Sequence, residues 1–335
     1  MERHTSDARV PQGFNSGKNS ESDMRSSGST AGKYLDKLTK ALPGTRAWSG
    51  SKAARDFWPE GAKFVISMSL QFTAGASAHE SVHSGNSSDI SQVSSEEQYG
   101  WKEGIPRLLE IFQRRRVRVT SHMSPEAVEM NPQVAKEITQ RGHEAAVYAM
   151  DCVALSTTAQ QHRAYPEFAI RTISRVTGSR PVGFYGSSCG LPSNMLGVLQ
   201  ELGFLYHEDD LSRDEPFLIS VRNQPFVVIP HALALNDRVA YGEWHQSTDQ
   251  YACELKNAFE ILYAEAETRR RMMSISAHDF ISGRPARAKV LEEFIVYAQR
   301  RPGVAFLRKD EIARFALASP ITPREEDSKR ALEAA

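Results

Sequence analysis

The feature that most constrains the fold is a repeated alternation of short strand patterns and longer helix patterns along residues 64–307. The first strand pattern, Phe64–Phe72 (FVISMSLQF), is bounded by Gly61 and Gly75. Further strands are predicted at Arg116–Ser121, Glu144–Tyr148, Gly183–Tyr185, Phe204–His207, Phe226–Ile229, Met272–Ser276 and Gly303–Leu307, and helices at Ile105–Gln113, Pro125–Arg141, Tyr165–Val176, Ser193–Leu202, Thr248–Arg270 and Arg284–Gln299. Repeated βα units of this length favour an α/β fold with a parallel sheet, closed or open.

The ends of the chain differ in composition from this region. Residues 1–32 are rich in Ser, Gly, Asn and charged side chains, which predicts a disordered polar tail. Residues 33–56 form an N-terminal extension with a short helical pattern, and residues 324–335 form a charged C-terminal tail. Residues 76–98 show no periodicity, so they are predicted to be a long loop after the first strand.

Charge and cysteine content restrict the partners. Lys+Arg and Asp+Glu both number 41, so no field of the whole chain favours nucleic acid or an anionic membrane. The three cysteines, Cys152, Cys189 and Cys253, share no close spacing, which indicates a reducing compartment. Neither an apolar leader at residue 1 nor a long apolar span is evident. We therefore expect a cytoplasmic protein with a small-molecule substrate and no nucleic acid or membrane partner.

In parallel α/β folds, chemistry gathers beyond the carboxyl ends of the strands. His278 and Asp279 lie at such an end, where a histidine can act as a general acid or base, and a structural role is the alternative. Asn236–Asp237 end a similar segment, with a helix cap or turn as the alternative. These positions make His278 and Asp279 the candidate catalytic residues.

A second candidate is the acidic segment at residues 206–216, YHEDDLSRDEP, which directly follows a predicted strand. Its Asp209, Arg213, Asp214 and Glu215 could hold a polar ligand or order one another, and a solvated, self-paired loop is the alternative. His143 and Glu144 precede a strand, so we expect them at the opposite end from the site. No Gly-rich phosphate loop, GxSxG elbow or HExxH helix occurs.

Several segments together resemble the polysaccharide deacetylase (NodB-homology) superfamily: WPEGAKFVISMSLQFTAG, RGHEAAVYAMD, TGSRPVGFYG, LQELGFLYHEDDLSRDEPF, VVIPHALALND and MMSISAHDFISGRPAR. They are most similar to the branch with the metal-independent allantoinase, the cyclic imide hydrolase and a peptidoglycan deacetylase. The resemblance covers residues 57–323 and implies a distorted, incomplete (β/α) barrel that hydrolyses amide C–N bonds. It also implies a homo-oligomer.

The resemblance implies a site that departs from the family pattern. Relatives carry carboxylates after the first strand, where this chain has Thr73-Ala74. At two later positions, where relatives carry metal-ligating histidines or an aromatic residue, this chain has Tyr148 and Cys152. Ser187-Ser188-Cys189 and Ala234 replace other polar positions. No cofactor is therefore expected, although zinc stays open. The positions that match the family are His122, Asp209, Arg213, Asp214, Glu215, Asn236, Asp237, His278 and Asp279, and Tyr148 joins them as a substrate-positioning candidate.

Three functions remain open at this point. The first is a hydrolase of non-peptide C–N bonds on a small intracellular substrate, which needs a replacement base, with His79, Glu80, His83 and Asp151 as candidates. The second is an altered or inactive descendant that binds a small ligand or catalyses another reaction in the same pocket. The third is a scaffold protein.

Overall fold

The computed structural model describes residues 57–73, 94–149, 159–186, 191 and 193–325. All of them belong to a compact unit, Ser49–Ala335. The predicted tail at 1–32, the extension at 33–56 and residues 326–335 lie outside the described residues, as does most of the predicted loop at 76–98. The domain boundaries therefore stay predictions.

The described residues form one mixed sheet. Its strands are β1 (Phe64–Phe72), β2 (Thr120–Met123), β3 (Glu144–Tyr148), β4 (Gly183–Tyr185), β5 (Tyr206–His207), β6 (Phe217–Val221), β7 (Gln224–Val228), β8 (Met272–His278) and β9 (Val304–Phe306). The strand order is β6-β7-β5-β4-β3-β2-β1-β8, and β9 pairs with β1. Only the pair β6–β7 is antiparallel within this sheet. The predicted α/β class is confirmed.

Helices connect and cover these strands. They are α1 (Ser95–Tyr99), α2 (Ile105–Arg115), α3 (Pro125–Met130), α4 (Pro132–Gln140), α5 (Ala159–Thr177), α6 (Ser193–Glu201), α7 (Thr248–Glu265), α8 (Asp279–Ser282), α9 (Pro285–Gln299) and α10 (Lys309–Ala318). A π-helical turn, Gly100–Gly104, joins α1 to α2. No helix in the described part of the chain is long and apolar enough to cross a membrane.

Contacts with β8 curl the sheet into an incomplete barrel. Ser276 forms an isolated parallel bridge with Asn236, and the hydroxyl of Ser274 donates to the carbonyl oxygen of Pro230 at 2.7 Å. The segment that follows β7 therefore lies along β8, at the far edge of the sheet. This arrangement confirms the predicted incomplete (β/α) barrel.

Some element boundaries differ from the predictions. The predicted helix at 125–141 is broken at Asn131, whose φ of −131° and ψ of 62° are not helical. Pro132 explains the break, because proline disfavours a helical residue before it. The strand predicted from Arg116 begins only at Thr120, since Arg116 ends α2 with a left-handed φ of 54°.

Strand β6 and helices α1, α8 and α10 were not predicted. β6 forms a hairpin with β7, the strand predicted at Phe226–Ile229. The hairpin turns at Arg222 and Asn223, which have φ of 50° and 62°, as the twist of a two-residue hairpin requires. Helix α10 follows β9 and packs Ile312 and Ala313 into a buried apolar cluster with Val65 of β1. The helix therefore closes the amino-terminal end of the barrel.

The inner face of β1 is polar above this apolar cluster. Alternate residues of β1 (Phe64, Ile66, Met68, Leu70 and Phe72) belong to the main apolar core with the covering helices, because side chains alternate across a strand. Ser67, Ser69 and Gln71 lie between them and are fully or almost fully buried. These three side chains line the barrel interior, which we call the lumen.

Candidate active site

The carboxyl end of β8 carries a buried histidine–carboxylate pair. Nδ1 of His278 lies 2.6 Å from Oδ1 of Asp237, and the His278 backbone N–H donates to Oδ2 of Asp237 at 2.8 Å. The side chain and backbone of Ser282 also donate to Oδ2 of Asp237, at 2.6 and 3.1 Å. These bonds fix the ring and place its proton on Nδ1, so Nε2 is the atom that can exchange a proton with a ligand.

A second histidine lies at the same depth in the barrel. Gln71 of β1 is the register partner of both His122 in β2 and His278 in β8. In parallel sheets, adjacent residues at one level point to the same face. The two histidines therefore stand on the same lumen wall, on either side of Gln71. Neither atom of the Gln71 amide has a hydrogen-bond partner among the described residues.

His122 belongs to a buried ionic cluster. Its Nε2 contacts Oε1 of Glu208, just after β5, and Oε2 of Glu208 lies 3.6 Å from Nζ of Lys309 in α10. The Lys309 ammonium also donates to the Ser69 hydroxyl at 2.8 Å. His122, Glu208 and Lys309 are all 0% exposed. Burial alone would raise the pKa of Glu208, but the contacts with His122 and the Lys309 ammonium outweigh it and lower that pKa.

Aromatic and amide groups join the two histidines across the lumen. The Tyr185 ring of β4 lies 5.5 Å from the His122 ring and 5.1 Å from the His231 ring. Nε2 of His231 lies 3.2 Å from Nδ2 of Asn236, the residue before Asp237. Burial lowers the pKa of His231 to about 4, so this ring is neutral near pH 7. The predicted positions His122, Asn236, Asp237 and His278 are therefore brought together.

Two further predicted positions, Tyr148 and Asp209, lie at the carboxyl ends of their strands. Tyr148 ends β3, and its ring lies 5.5 Å from the Tyr185 ring. Both carboxylate oxygens of Asp209 accept from the Gly186 backbone N–H at 2.9 Å, which ties the segment after β5 to the end of β4. Tyr148 thus lies near the candidate site, while the described contacts of Asp209 order the loops beside it.

The rest of the acidic segment lies elsewhere. The Asp214 carbonyl accepts from the backbone N–H of Met272 at 2.8 Å, and Glu215 pairs with Arg270 at 2.8 Å. Met272 begins β8, so this contact is about 20 Å along the strand from His278 at 3.3 Å per residue. The Arg213 guanidinium stacks over the Phe217 ring at 4.3 Å. The predicted grouping of Arg213, Asp214 and Glu215 with His278 is not what the structure shows, because the chain leads away from the carboxyl ends to start β6.

Asp279 follows His278 but makes different contacts. Its Oδ1 accepts from the Phe280 backbone N–H at 2.9 Å, and its carboxyl group is packed so closely on Gly100 that a β-carbon there would lie 2.9 Å from Cγ. Burial raises the pKa of Asp279 to about 7, and hydrogen bonds from the backbone of Phe280 and Thr73 oppose the shift. These contacts give Asp279 a positioning role between the end of β1 and the π-helical turn.

The expected departures from the family pattern are only partly described. Thr73 is buried directly after β1. The candidate replacement bases His79, Glu80, His83 and Asp151, and also Ala74, Cys152 and residues 187–189, lie outside the described residues. Among the side chains that the structure describes, no group of three or more His, Cys, Asp or Glu could hold a metal ion. The described residues therefore do not fit a zinc site.

Sequence reasoning missed Gln71, Tyr185 and Lys309. It placed Glu208, His231 and Ser282 in segments that follow predicted strands but did not select them as site residues. Glu208 follows a strand within the acidic segment, so its position was a usable signal. His143 and Glu144 lie at the opposite end from the site, as expected. Glu144 accepts from the Tyr206 hydroxyl at 2.9 Å and from the Asp310 backbone N–H at 2.9 Å, and Asp310 belongs to the helix that closes the amino-terminal end.

Comparison with known proteins gives the family. The polysaccharide deacetylase family model matches residues 98–207. A protein of Schizosaccharomyces pombe assigned as a polysaccharide deacetylase is 25% identical over 236 residues, which covers 65% of this chain and 73% of the relative.

Solved structures agree with this match. A protein of Pseudomonas aeruginosa PAO1 described as a polysaccharide deacetylase is 31% identical over 78% of this chain and 93% of its own, with a TM-score of 0.66. PuuE allantoinase is 27% identical over 83% of this chain and 99% of its own, with a TM-score of 0.70. A Mycobacterium smegmatis structure, 22% identical over 80% and 94% of the two chains with a TM-score of 0.70, shares the fold. The chain belongs to the polysaccharide deacetylase (NodB-homology) superfamily.

Proposed function

We propose that this protein hydrolyses a non-peptide amide C–N bond of a small substrate, with His278 as the general acid. The observation that carries the proposal is the His278–Asp237 pair at the carboxyl end of β8, at 2.6 Å. Membership of a family of deacetylases and amide hydrolases supports the reaction type. The likeness to PuuE allantoinase over 99% of that chain supports a cyclic amide as one class of substrate.

The pair is suited to protonating a poor leaving group. When a C–N bond breaks, the departing nitrogen needs a proton, and a histidine can supply it at neutral pH. The Asp237 carboxylate stabilises the positive charge of the doubly protonated ring and holds it through Nδ1. Ser282 donates to the same carboxylate and so restricts its rotation. The proton that moves is the one on Nε2 of His278.

A hydrolysis screen of the purified protein tests the proposal. The panel contains allantoin, succinimide-type imides, hydantoins and N-acetylglucosamine oligomers, each with and without added zinc. We expect turnover of at least one compound and a loss of about 100-fold or more in His278→Asn. His245→Asn, at an exposed histidine, is the matched control and should keep wild-type turnover. A His278→Asn variant with full turnover would contradict the assignment.

Thr73 favours a second candidate, a ligand-binding protein without hydrolytic activity. It stands where relatives carry a carboxylate, and its hydroxyl is a poor base at neutral pH. Under this alternative the folded protein binds panel compounds without converting them. Thr73→Glu combined with Tyr148→His would then create amidase activity that the natural chain lacks. Equal hydrolysis by both forms would exclude this candidate.

A further inference from the structure

The proposed reaction needs a base as well as an acid. Water must lose a proton as it attacks the carbonyl carbon, and Thr73 does not supply a carboxylate after β1. Among the described lumen residues, His122 also has a carboxylate partner, which is Glu208. His122 lies at the same level of the sheet as His278, because both are register partners of Gln71. A ligand whose leaving nitrogen reaches His278 would therefore have its other side toward His122.

Glu208 determines which nitrogen of His122 is basic. The Glu208 carboxylate lies against Nε2 of His122 and against the Lys309 ammonium, so it accepts a hydrogen bond from Nε2–H of His122. In the neutral form of the ring, the lone pair is then on Nδ1. Nδ1 of His122 is buried and has no hydrogen-bond partner among the described residues. It is therefore a base whose acceptor atom is not already engaged there.

Lys309 contacts the other oxygen of this carboxylate. Its ammonium lies 3.6 Å from Oε2 of Glu208 and is held by the Ser69 hydroxyl at 2.8 Å and the Ser67 hydroxyl at 3.4 Å. A buried carboxylate needs a compensating charge. Lys309 provides such a charge at Oε2, so the compensation does not have to come from His122 alone.

We propose that His122 is the general base of the reaction and that Glu208 and Lys309 are its positioning residues. This inference rests on the proposed function. An O–H bond of water breaks and its proton goes to Nδ1 of His122, while the oxygen bonds to the amide carbon. The C–N bond then breaks as Nε2–H of His278 protonates the leaving nitrogen. The products are a carboxylic acid and an amine, and solvent returns the two histidines to their starting protonation states.

Glu208→Gln tests how the ring is held. The amide keeps an oxygen that can accept from Nε2–H of His122, but it lacks the charge of the carboxylate, and hydrogen bonds to a charged group are the stronger ones. We therefore expect Glu208→Gln to reduce the plateau rate on the compound that the wild type hydrolyses.

The test compares variants on whichever compound the wild type hydrolyses. His122→Gln should lose about 100-fold or more in kcat, and imidazole added to His122→Ala should restore part of the activity. Circular dichroism and thermal melting show whether each variant is folded. An active wild type with a folded His122→Gln that keeps its kcat overturns this inference alone. A wild type inert on the whole panel overturns the proposed function and this inference together.

Nitrogen NMR of the histidine rings supplies a readout that does not depend on turnover. The resonances of His122 are identified by their loss in His122→Gln. We expect the proton on Nε2 in the wild type, and a mixture of tautomers in Glu208→Gln. A proton on Nδ1 in the wild type would overturn the proposal, because that nitrogen could not then accept a proton from water.

Discussion

Replacement of Lys309 by Met tests the buried ionic cluster by stability alone. Lys309 and Glu208 are both fully buried. Met keeps the length of the apolar stem, so the change removes the ammonium group with little loss of packing. Removing one partner of a buried ion pair costs about 3–5 kcal/mol, because the other charge stays buried and uncompensated. We expect Lys309→Met to lower the free energy of unfolding by about 3 kcal/mol, the lower end of this range, because His122 still contacts the other oxygen of Glu208.

Equilibrium urea unfolding measures this loss. The matched control is Lys289→Met, because Lys289 lies on α9 with a side chain 73% exposed and an ion pair 3.6 Å from Glu293. An exposed pair of this kind contributes less than about 0.5 kcal/mol. Adding Glu208→Gln to Lys309→Met should recover more than half of the loss, because no unpaired carboxylate remains. A Lys309→Met variant as stable as the Lys289→Met control would refute the reasoning.

Three further predictions concern the same end of the barrel. Burial raises the pKa of Asp279 from 3.8 to about 7. Its contribution to the free energy of unfolding, at most about 4 kcal/mol, is therefore complete below pH 3.8 and is lost as pH rises through 7. Asp279→Asn does not ionise, so urea titrations should show it gaining stability relative to the wild type between pH 5 and pH 8. Gly104→Ala should destabilise by about 1–3 kcal/mol or more, since its β-carbon would lie 2.1 Å from the carbonyl oxygen of Asp279, whereas Gly242→Ala, with no atom within 4 Å, should not. Ser282→Ala removes a 2.6 Å hydrogen bond to Asp237 and should lower kcat about tenfold with little change in KM.

The alternation of strand and helix patterns was sufficient to predict the fold class. Three strands have the predicted bounds, and they are Phe64–Phe72, Glu144–Tyr148 and Gly183–Tyr185. Short, largely apolar runs that alternate with helix patterns are typical of buried strands in βα units. The hairpin strand at Phe217–Val221 was not predicted, although it ends at two residues of positive φ. Its position at the edge of the sheet is fixed by tertiary pairing with β7.

The candidate site could be predicted only where a residue stands at a strand end. His278 and Asp237 satisfied that rule, and the structure pairs them. Asp214 and Glu215 also follow a strand in the sequence, but in the structure they lie far from the site. The chain after β5 leads to the start of β6, near Met272 and Arg270. Lys309 begins a charged helix, and nothing in its local sequence indicates burial. Its place in the lumen depends on α10 closing the barrel, which is a property of the whole fold.

The most direct test of the central claim is mass spectrometry of panel compounds incubated with the protein in water labelled with heavy oxygen. If the protein hydrolyses an amide through His278, the released carboxyl group carries one labelled oxygen, and His278→Asn releases little or none. A folded wild type that binds a compound and leaves it unlabelled and intact, or a product without labelled oxygen, would contradict hydrolysis as the function of this site.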